Sequence, residues 1–295
     1  MPLVSIIIPN YNHGRYLQQR LDTVFQQSLS DYEVILLDDC STDNSREILS
    51  AYQQRPQVSQ VVFNESNTGS PFRQWAKGIA LAKGRYIWIA ETDDFSHPDF
   101  LKTLVHQLEA DPQLVLAFSG SHWVDEQGVA GNDLSIYTAS FTRKGQEEII
   151  HSLSKYNTIQ NVSSVVFRAA GLKKISAAYT QYRACGDWIL YTELLAFGNM
   201  AFVADKLNYF RWYHANTSNN SSKQGIWEYE GIDVLALVKQ SPSLTAADKA
   251  TISSFWKKRL KPLRKTIPIS WKRYLTIHQK LYQFSPVHYL RYLFA

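Results

Sequence analysis

The first 118 residues alternate short apolar runs with helical patterns, and this alternation constrains the fold more than any other feature. The run Leu3–Ile8 is continuous and β-branched, which is typical of a strand buried on both faces of a parallel sheet. Further runs follow at Glu33–Leu37, Gln60–Phe63, Tyr86–Ala90 and Leu114–Phe118, with helical periodicity between them. The pattern predicts an α/β fold with a mostly parallel sheet and helices on both faces.

Past residue 120 the alternation loosens. We expect strands at Val162–Phe167, Met200–Ala204 and Lys206–Tyr213, and a helix at Trp188–Phe197. The polar stretch Asn216–Gln224 then marks a loop or a boundary.

This boundary predicts two parts. Residues 1–225 would form the main domain, with a first half at 1–118 and a second half at 119–225. Residues 226–295 would form a helical appendage, interrupted by Pro262, Pro268 and Pro286.

The appendage carries an unusual charge. The net charge of the chain is +5, yet residues 251–295 hold ten basic side chains and no acidic one. Three interpretations remain open: a helical subdomain packed on the main domain, an interfacial helix on anionic lipid, and a nucleic-acid arm that nothing in the main domain supports. The side chains predicted to share one apolar helical face are Trp271, Tyr274, Leu275, His278, Leu281 and Tyr282.

Composition excludes several classes of protein. The chain is 45% hydrophobic and 19% charged, so it can bury a core and is not disordered. It has no run of 18 apolar residues and no pattern of a signal peptide. Its two cysteines, Cys40 and Cys185, cannot form a disulfide framework. We therefore expect a cytoplasmic protein, with a peripheral position at the inner face of the cell membrane as an extension of the lipid hypothesis.

Two acidic pairs follow predicted strands, Asp38-Asp39 and Asp93-Asp94. In open α/β sheets, ligands bind outside the carboxyl ends of the strands. Converging carboxylates repel one another unless a cation offsets their charge, and oxygen ligands suit Mg²⁺ or Mn²⁺ with a phosphorylated substrate. The structural alternative is that these acidic residues only cap helices in the βα loops.

Several fragments of the chain follow one another at a characteristic spacing: Val4–Asn12, Tyr16–Ser28, Asp38–Ser45, Asn67–Gly69 with Arg73, and Gly84–Asp94. In this order and spacing they resemble the inverting family 2 glycosyltransferases of GT-A (Rossmann-like) fold. The resemblance is nearly continuous from residue 3 to about residue 118. Single fragments are weak signals, whereas several in order at the family spacing are strong.

The resemblance implies a nucleotide-binding half at residues 1–118 and an acceptor-binding half at 119–225. It implies that Pro9 and Asn10 hold the nucleotide, that Tyr11 stacks on the base, and that Asp39 accepts hydrogen bonds from the base. Arg73 would contact the nucleotide, although a solvated helix arginine is an equal alternative.

The resemblance also implies a metal site. The Asp-x-Asp-Asp element of the family appears as Glu91-Thr92-Asp93-Asp94, so a direct metal role for Glu91 is in doubt. We expect Asp94 to be the main ligand of Mg²⁺ or Mn²⁺, with Asp93 beside it. Asp93 is also expected to contact the ribose. The late element Arg211–His214 suggests His214 as a further metal ligand, with arginine or histidine near the diphosphate.

An inverting transfer also needs a base that takes the proton from the acceptor hydroxyl. The resemblance assigns this role to Asp187, which precedes the helix Trp188–Phe197; the alternative is an N-cap aspartate. Trp188 would either stack on a sugar or pack in the core.

The prediction is therefore a metal-dependent hexosyltransferase. It would move a sugar from a nucleotide diphosphate sugar, most simply a UDP-sugar, to a saccharide or lipid-linked acceptor in cell-surface polysaccharide or O-antigen biosynthesis. Nucleic acid is not an expected partner. The alternatives are an inactive nucleotide-sugar binding module and a sugar nucleotidyltransferase.

Overall fold

The computed structural model describes residues 1–131, 136–213, 224–263, 267 and 269–293, with side chains up to residue 290. Within those residues, nine strands form one sheet in the order β3-β2-β1-β4-β8-β6-β9-β5, and β7 pairs with β9. The bounds of the strands are β1 Val4–Asn10, β2 Tyr32–Asp38, β3 Val58–Phe63, β4 Tyr86–Ile89, β5 Phe95–Ser96, β6 Leu114–Val124, β7 Phe141–Arg143, β8 Val165–Arg168 and β9 Asn199–Arg211.

Helices flank this sheet on both faces and continue beyond it. The bounds in the first half are α1 Gly14–Phe25, α2 Ser45–Tyr52, α3 Pro71–Leu81 and α4 Phe100–Ala110. The second half contains α5 Gly145–Glu148, α6 Ala169–Leu172 and α7 Gly186–Leu195. The appendage contains α8 Ile226–Gly231, α9 Val234–Val238, α10 Ala246–Leu260, α11 Trp271–Phe284 and α12 Pro286–Leu293. A π-helical turn covers Ile149–Leu153, and 3-10 turns cover Val162–Ser164 and Ala178–Gln181.

The α/β fold is confirmed, with the parallel pairs concentrated in the first half. Strands β3, β2, β1 and β4 are all parallel, as are β6 and β9. Strand β8 runs antiparallel to β4 and β6, and the short strands β5 and β7 run antiparallel to β9. The predicted strands Met200–Ala204 and Lys206–Tyr213 are one strand, β9, because irregular pairing with β6 carries the chain through Asp205 without a break.

Alternation along β1 explains its continuous apolar sequence. Ile6 and Ile8 pack with Leu17 of α1 on one face of the sheet, and Ile7 packs with Phe72 and Trp75 of α3 on the other. Successive side chains of a strand point to opposite faces, so a strand covered on both sides is apolar at every position. Because β1, β2 and β4 run parallel, their carboxyl ends lie at one edge of the sheet, where the site lies.

The appendage packs on the main domain. Trp256 of α10 is buried and lies parallel to Trp188 of α7, with ring centroids 6.4 Å apart. The prediction of one apolar face on α11 is wrong, since Leu281 is buried while Trp271 and Leu275 are each 60% exposed. Among the described residues, none of the helices is long and apolar enough to cross a membrane. The boundary between 225 and 226 stays a prediction.

Candidate functional site

The ends of β1 and β2 are tied together by side chains. Asn10 Nδ2 donates to Asp38 Oδ1 at 3.0 Å and to Ser41 Oγ at 3.1 Å. Asp38 Oδ2 accepts from the Ser41 amide at 3.0 Å. The Pro9 carbonyl accepts from the Thr92 hydroxyl at 2.6 Å, which fixes the end of β1 to the loop after β4. Asp38 and the Asn10 amide nitrogen thus hold the loop in place, whereas the buried Asn10 Oδ1 has no hydrogen-bond partner among the described residues.

Asp39 is buried among protein donors. Its carboxylate accepts from Asn64 Nδ2 at 2.7 Å, from Gln74 Nε2 at 2.9 Å, and from the Thr68 hydroxyl at 2.8 Å and amide at 3.0 Å. A base imide would have to replace one of these donors to bind Asp39. Arg73 is exposed and donates to the Thr68 carbonyl at 3.2 Å, so it holds the same loop.

Two residues beside these loops have special exposure or conformation. Tyr11 is 46% exposed at the end of β1, which leaves its ring open to a stacking partner. Cys40 has φ of 65°, in the left-handed region where glycine is favoured.

Asp93 and Asp94 differ in their surroundings. Asp94 is 2% exposed, and its oxygens accept from the Arg211 amide and from Asn161 Nδ2, both at 2.9 Å. Asp93 is partly exposed, and Tyr213 donates its hydroxyl to Asp93 Oδ2 at 3.2 Å. Asp94 is therefore a group that organises the loop, whereas Asp93 faces the open side. The sequence prediction, which placed the metal mainly on Asp94 with Asp93 beside it, stays a prediction.

The sequence reasoning missed a buried arginine that contacts the acidic loop, which is the segment Glu91–Asp94 after β4. Arg20 of α1 is fully buried, donates from Nε to the Glu91 carbonyl at 2.7 Å, and has Nη2 4.0 Å from Asp94 Oδ2. Burial lowers the pKa of Arg20 to about 10. Burial, followed by repulsion from Asp93, raises the pKa of Glu91 to about 8, and Trp75 Nε1 donates to the Glu91 carboxyl.

Sequence spacing did contain a signal for Arg20. It lies three residues after Leu17 and four before Val24, on the helical face that α1 buries against the sheet. A charged residue on an apolar helix face indicates a buried partner, because an unpaired charge there is costly.

Arg211, which opens the element expected near the diphosphate, donates to backbone carbonyl groups of the protein. Its side chain is buried and donates to the carbonyl oxygens of Asp93 at 2.7 Å, Asp125 at 3.0 Å and Glu126 at 2.7 Å. Arg211 thus joins the backbone of the acidic loop to the backbone of residues 125–126. His214 lies outside the described residues.

The donor set fits a metal only in part. Among the described residues, no group of three or more His, Cys, Asp or Glu side chains could hold a metal ion. Mg²⁺ and Mn²⁺ bind through one or two protein carboxylates when substrate phosphates complete the shell. The partly exposed carboxylate of Asp93 fits that pattern, and Glu91 is held by Trp75 instead.

Asp187 lies in the first turn of α7 and is not its N-cap, which is Cys185. The Asp187 carboxylate accepts from Asn157 Nδ2 at 2.9 Å and from the Trp188 amide at 2.7 Å. Asp187 is partly exposed, and burial of its carboxyl raises the pKa to about 7. A carboxylate with such a pKa can accept a proton at neutral pH.

Aromatic residues connect Asp187 to the acidic loop. A Cβ at Gly186 would meet the ring of Phe72 at 2.7 Å, so α7 begins directly against α3. Phe72 packs edge-to-face on Trp75, with centroids 4.8 Å apart, and Trp75 binds Glu91. The structure therefore brings the start of α7 to the edge where β4 ends.

Trp188 is a core residue. It is 6% exposed, packs on Trp256, and donates from Nε1 to the Leu153 carbonyl at 2.8 Å. The alternative that Trp188 stacks on a sugar is wrong. Glu230 of α8, which sequence reasoning missed, accepts from the amides before Asp187.

Two solved structures share this fold. The TarS protein of S. aureus, solved alone and in complex with UDP, has a TM-score of 0.72 at 16% identity, covering 97% of this chain and 82% of that one. Its complex with UDP-GlcNAc has a TM-score of 0.71 at 17% identity, covering 95% and 80%. The mannosyltransferase PcManGT of Pyrobaculum calidifontis, in complex with GDP-Man and Mn²⁺, has a TM-score of 0.60 at 14% identity, covering 99% and 83%.

Two sequence relatives each match about two fifths of the chain. Glycosyltransferase GlyG of Streptococcus pneumoniae is 36% identical over 115 residues, which is 39% of this chain and 38% of the relative. The putative teichuronic acid biosynthesis glycosyltransferase TuaG of Bacillus subtilis is 37% identical over 118 residues, 40% of this chain and 45% of the relative. The chain thus spans less than half of either relative. The model for glycosyl transferase family 2 matches residues 5–174, more than half of the chain, and the protein belongs to that family.

Proposed function

We propose that the protein transfers one sugar, with inversion, from a UDP-sugar to a saccharide or lipid-linked acceptor during cell-surface polysaccharide synthesis. The observation that carries this is the arrangement around Asp187. A carboxylate with its pKa raised to about 7 lies at the start of α7, joined through Phe72 and Trp75 to the edge that carries Asp93.

In this proposal Asp187 takes the proton of the acceptor hydroxyl as that oxygen attacks the anomeric carbon. Asn157 fixes the orientation of the carboxylate, and burial keeps its pKa near working pH. Asp93, with Tyr213 on one oxygen, would hold Mg²⁺ or Mn²⁺. The ion, when bound, neutralises charge on the departing diphosphate.

The donor class is supported by the fold neighbours. TarS was solved with UDP and UDP-GlcNAc, and PcManGT with GDP-Man and Mn²⁺. The exposed ring of Tyr11 suits either base, and we assign UDP from the resemblance to the family. The relative TuaG supports a cell-surface polysaccharide as product.

The test is nucleotide release from UDP- and GDP-sugars, with Mn²⁺, with Mg²⁺ and with EDTA. Wild type should release UDP in the presence of metal, and Asp187→Asn should lose at least a hundredfold in kcat, within the range that a general base contributes, about 10²–10⁴. Asp205→Asn is a matched control, because Asp205 is exposed on β9. Donor binding without release in wild type would favour the inactive binding module instead.

We also propose that α11 and α12 rest on an anionic membrane. The residues 251–295 contain no acidic side chain, and Lys272 and Arg273 are exposed. Apolar side chains exposed beside them add buried area on a lipid surface. These exposed apolar residues are Trp271, Leu275, Tyr282, Val287 and Leu290.

Sedimentation with phosphatidylglycerol-containing vesicles tests this. The double variant Trp271→Ala/Leu275→Ala should bind at least tenfold more weakly than wild type, since both side chains are exposed and their loss spares the core. Phe197→Ala, which removes an exposed aromatic ring elsewhere, should bind as wild type does. Equal binding of all three proteins would refute the membrane role of this surface.

A further inference from the structure

A cleft that is partly open to solvent is lined by Asn161, whose side chain donates to Asp94. Its walls come from β6, β9 and the segment before β8, whereas the loops with Asn10 and Asp39 follow β1 and β2. In the sheet, β4 lies between these two groups of strands. The cleft is therefore on the side of the acidic loop away from the nucleotide-binding loops.

The lining of this cleft is aromatic and uncharged. Trp123, Phe210, Tyr137 and Phe118 contribute rings, and hydroxyl and amide groups, such as those of Ser121 and Gln160, lie among them. No Asp, Glu, Lys, Arg or His lines it among the described residues. A carboxylate or phosphate would lose water here without gaining a cationic partner. An uncharged sugar ring has an apolar face for an indole and hydroxyls for the polar groups.

One wall of the cleft is fixed from behind by a buried carboxylate. Glu148 is fully buried and accepts from the Tyr137 hydroxyl and the Thr158 hydroxyl, both at 2.6 Å. Arg143 pairs with the other oxygen of Glu148. Tyr137 and Thr158 both line the cleft, so the wall is preorganised and a ligand does not have to order it.

The same wall reaches both carboxylates of the site. Its segment begins at Asn157, which donates to Asp187, and ends at Asn161, which donates to Asp94 and lines the cleft. A sugar in the cleft would lie against the segment whose first residue, Asn157, orients the group that we propose as the base. Building on the proposed function, we infer that the cleft binds an uncharged sugar ring of the acceptor, with Trp123 as its stacking surface.

The test compares methyl β-glucoside and methyl β-N-acetylglucosaminide with methyl β-glucuronide. Saturation-transfer NMR without donor measures binding, and UDP release with donor measures transfer. Both neutral glycosides should bind at least tenfold more tightly than the glucuronide. Trp123→Ala should raise the Kd and KM for the neutral glycosides at least tenfold, and Trp123→Phe should recover part of the loss. Phe197→Ala, outside the site, should match wild type.

Equal binding of the glucuronide, or no effect of Trp123→Ala on the neutral glycosides, would overturn the inference. The binding arm separates this failure from that of the proposed function. Neutral glycosides that bind through Trp123 without any UDP release would leave the cleft assigned and refute the transferase proposal. If UDP is released but glycoside binding does not depend on Trp123, the transferase proposal is supported and the assignment of the cleft is refuted.

Discussion

Replacing Asp187 by asparagine should make the protein more stable at alkaline pH while removing its activity. Burial raises the pKa of this carboxyl from 3.8 to about 7, so the fold favours its protonated form. The proton therefore stabilises the fold fully below about pH 4, and this contribution is lost as the pH rises to about 7. Above pH 7 the ionised carboxylate destabilises the wild-type fold by up to about 4 kcal/mol, at roughly 1.4 kcal/mol for each pKa unit.

The asparagine carries no charge but presents a less suitable partner to Asn157, at a cost of about 1 kcal/mol. At about pH 8.5 we expect the variant to be more stable than wild type by about 3 kcal/mol. At about pH 5.5 the advantage should shrink by about 2 kcal/mol, because most of the wild-type carboxyl is then protonated in the fold.

Urea unfolding of both proteins without donor, at several pH values, measures this difference. Other groups that titrate are shared by the two proteins, so their contributions cancel. Asp205→Asn, at an exposed position, should follow the wild-type pH profile. A constant difference between Asp187→Asn and wild type across this range would refute the reasoning, since it would mean that Asp187 is ionised in the fold at every pH tested.

Three further predictions rest on single groups. In wild type, kcat/KM should rise with pH through an acid limb near 7, because Asp187 must be ionised to act as a base; a limb near 4 would contradict its burial. Cys40→Gly should raise the free energy of unfolding by about 1 kcal/mol, read from the urea midpoint, because φ of 65° strains a residue with a Cβ. Arg20→Met should lower the free energy of unfolding by about 3–5 kcal/mol, because Asp94 then stays buried without a compensating cation. A loss under about 1 kcal/mol would show that the pairing of Arg20 with Asp94 contributes little to stability.

The sequence predicts the edge of the sheet well because the signals there are local. The apolar run of β1 and the acidic residues after β2 and β4 lie where the strands end. The distinction between Asp93 and Asp94 is not local. The donors to Asp94 come from Asn161 and Arg211, 67 and 117 residues further along the chain, so no window of sequence around the pair contains them.

The appendage shows the same limit. The period of α11 indicates a helix, and a helix is present, but the face that it buries depends on the helices that it meets. Ile277 and Phe284 are buried with Leu281 in the core that contains Trp256, whereas Leu275 remains outside. Helical spacing placed Leu281 and Leu275 on the same predicted face, so the sequence did not distinguish them.

The start of the appendage supports the site directly, and Glu230 of α8 makes this testable. Its carboxylate accepts from the amides of Arg183 at 3.0 Å, Ala184 at 2.8 Å and Cys185 at 3.0 Å, which are the residues that lead into Asp187. Charge-assisted hydrogen bonds of this kind hold a loop strongly, and small displacements of a reacting group are costly in rate.

Glu230→Gln should therefore lower kcat about tenfold or more, with the Kd for UDP unchanged. It should also move the acid limb of kcat/KM to lower pH, because the charge of Glu230 adds to burial in raising the pKa of Asp187. Glu47→Gln, at an exposed position on α2, is the matched control. A lower melting temperature with no change in the pH profile would mean that Glu230 only stabilises the fold. A shifted profile would make it a positioning residue, and the catalytic unit would then extend past residue 225.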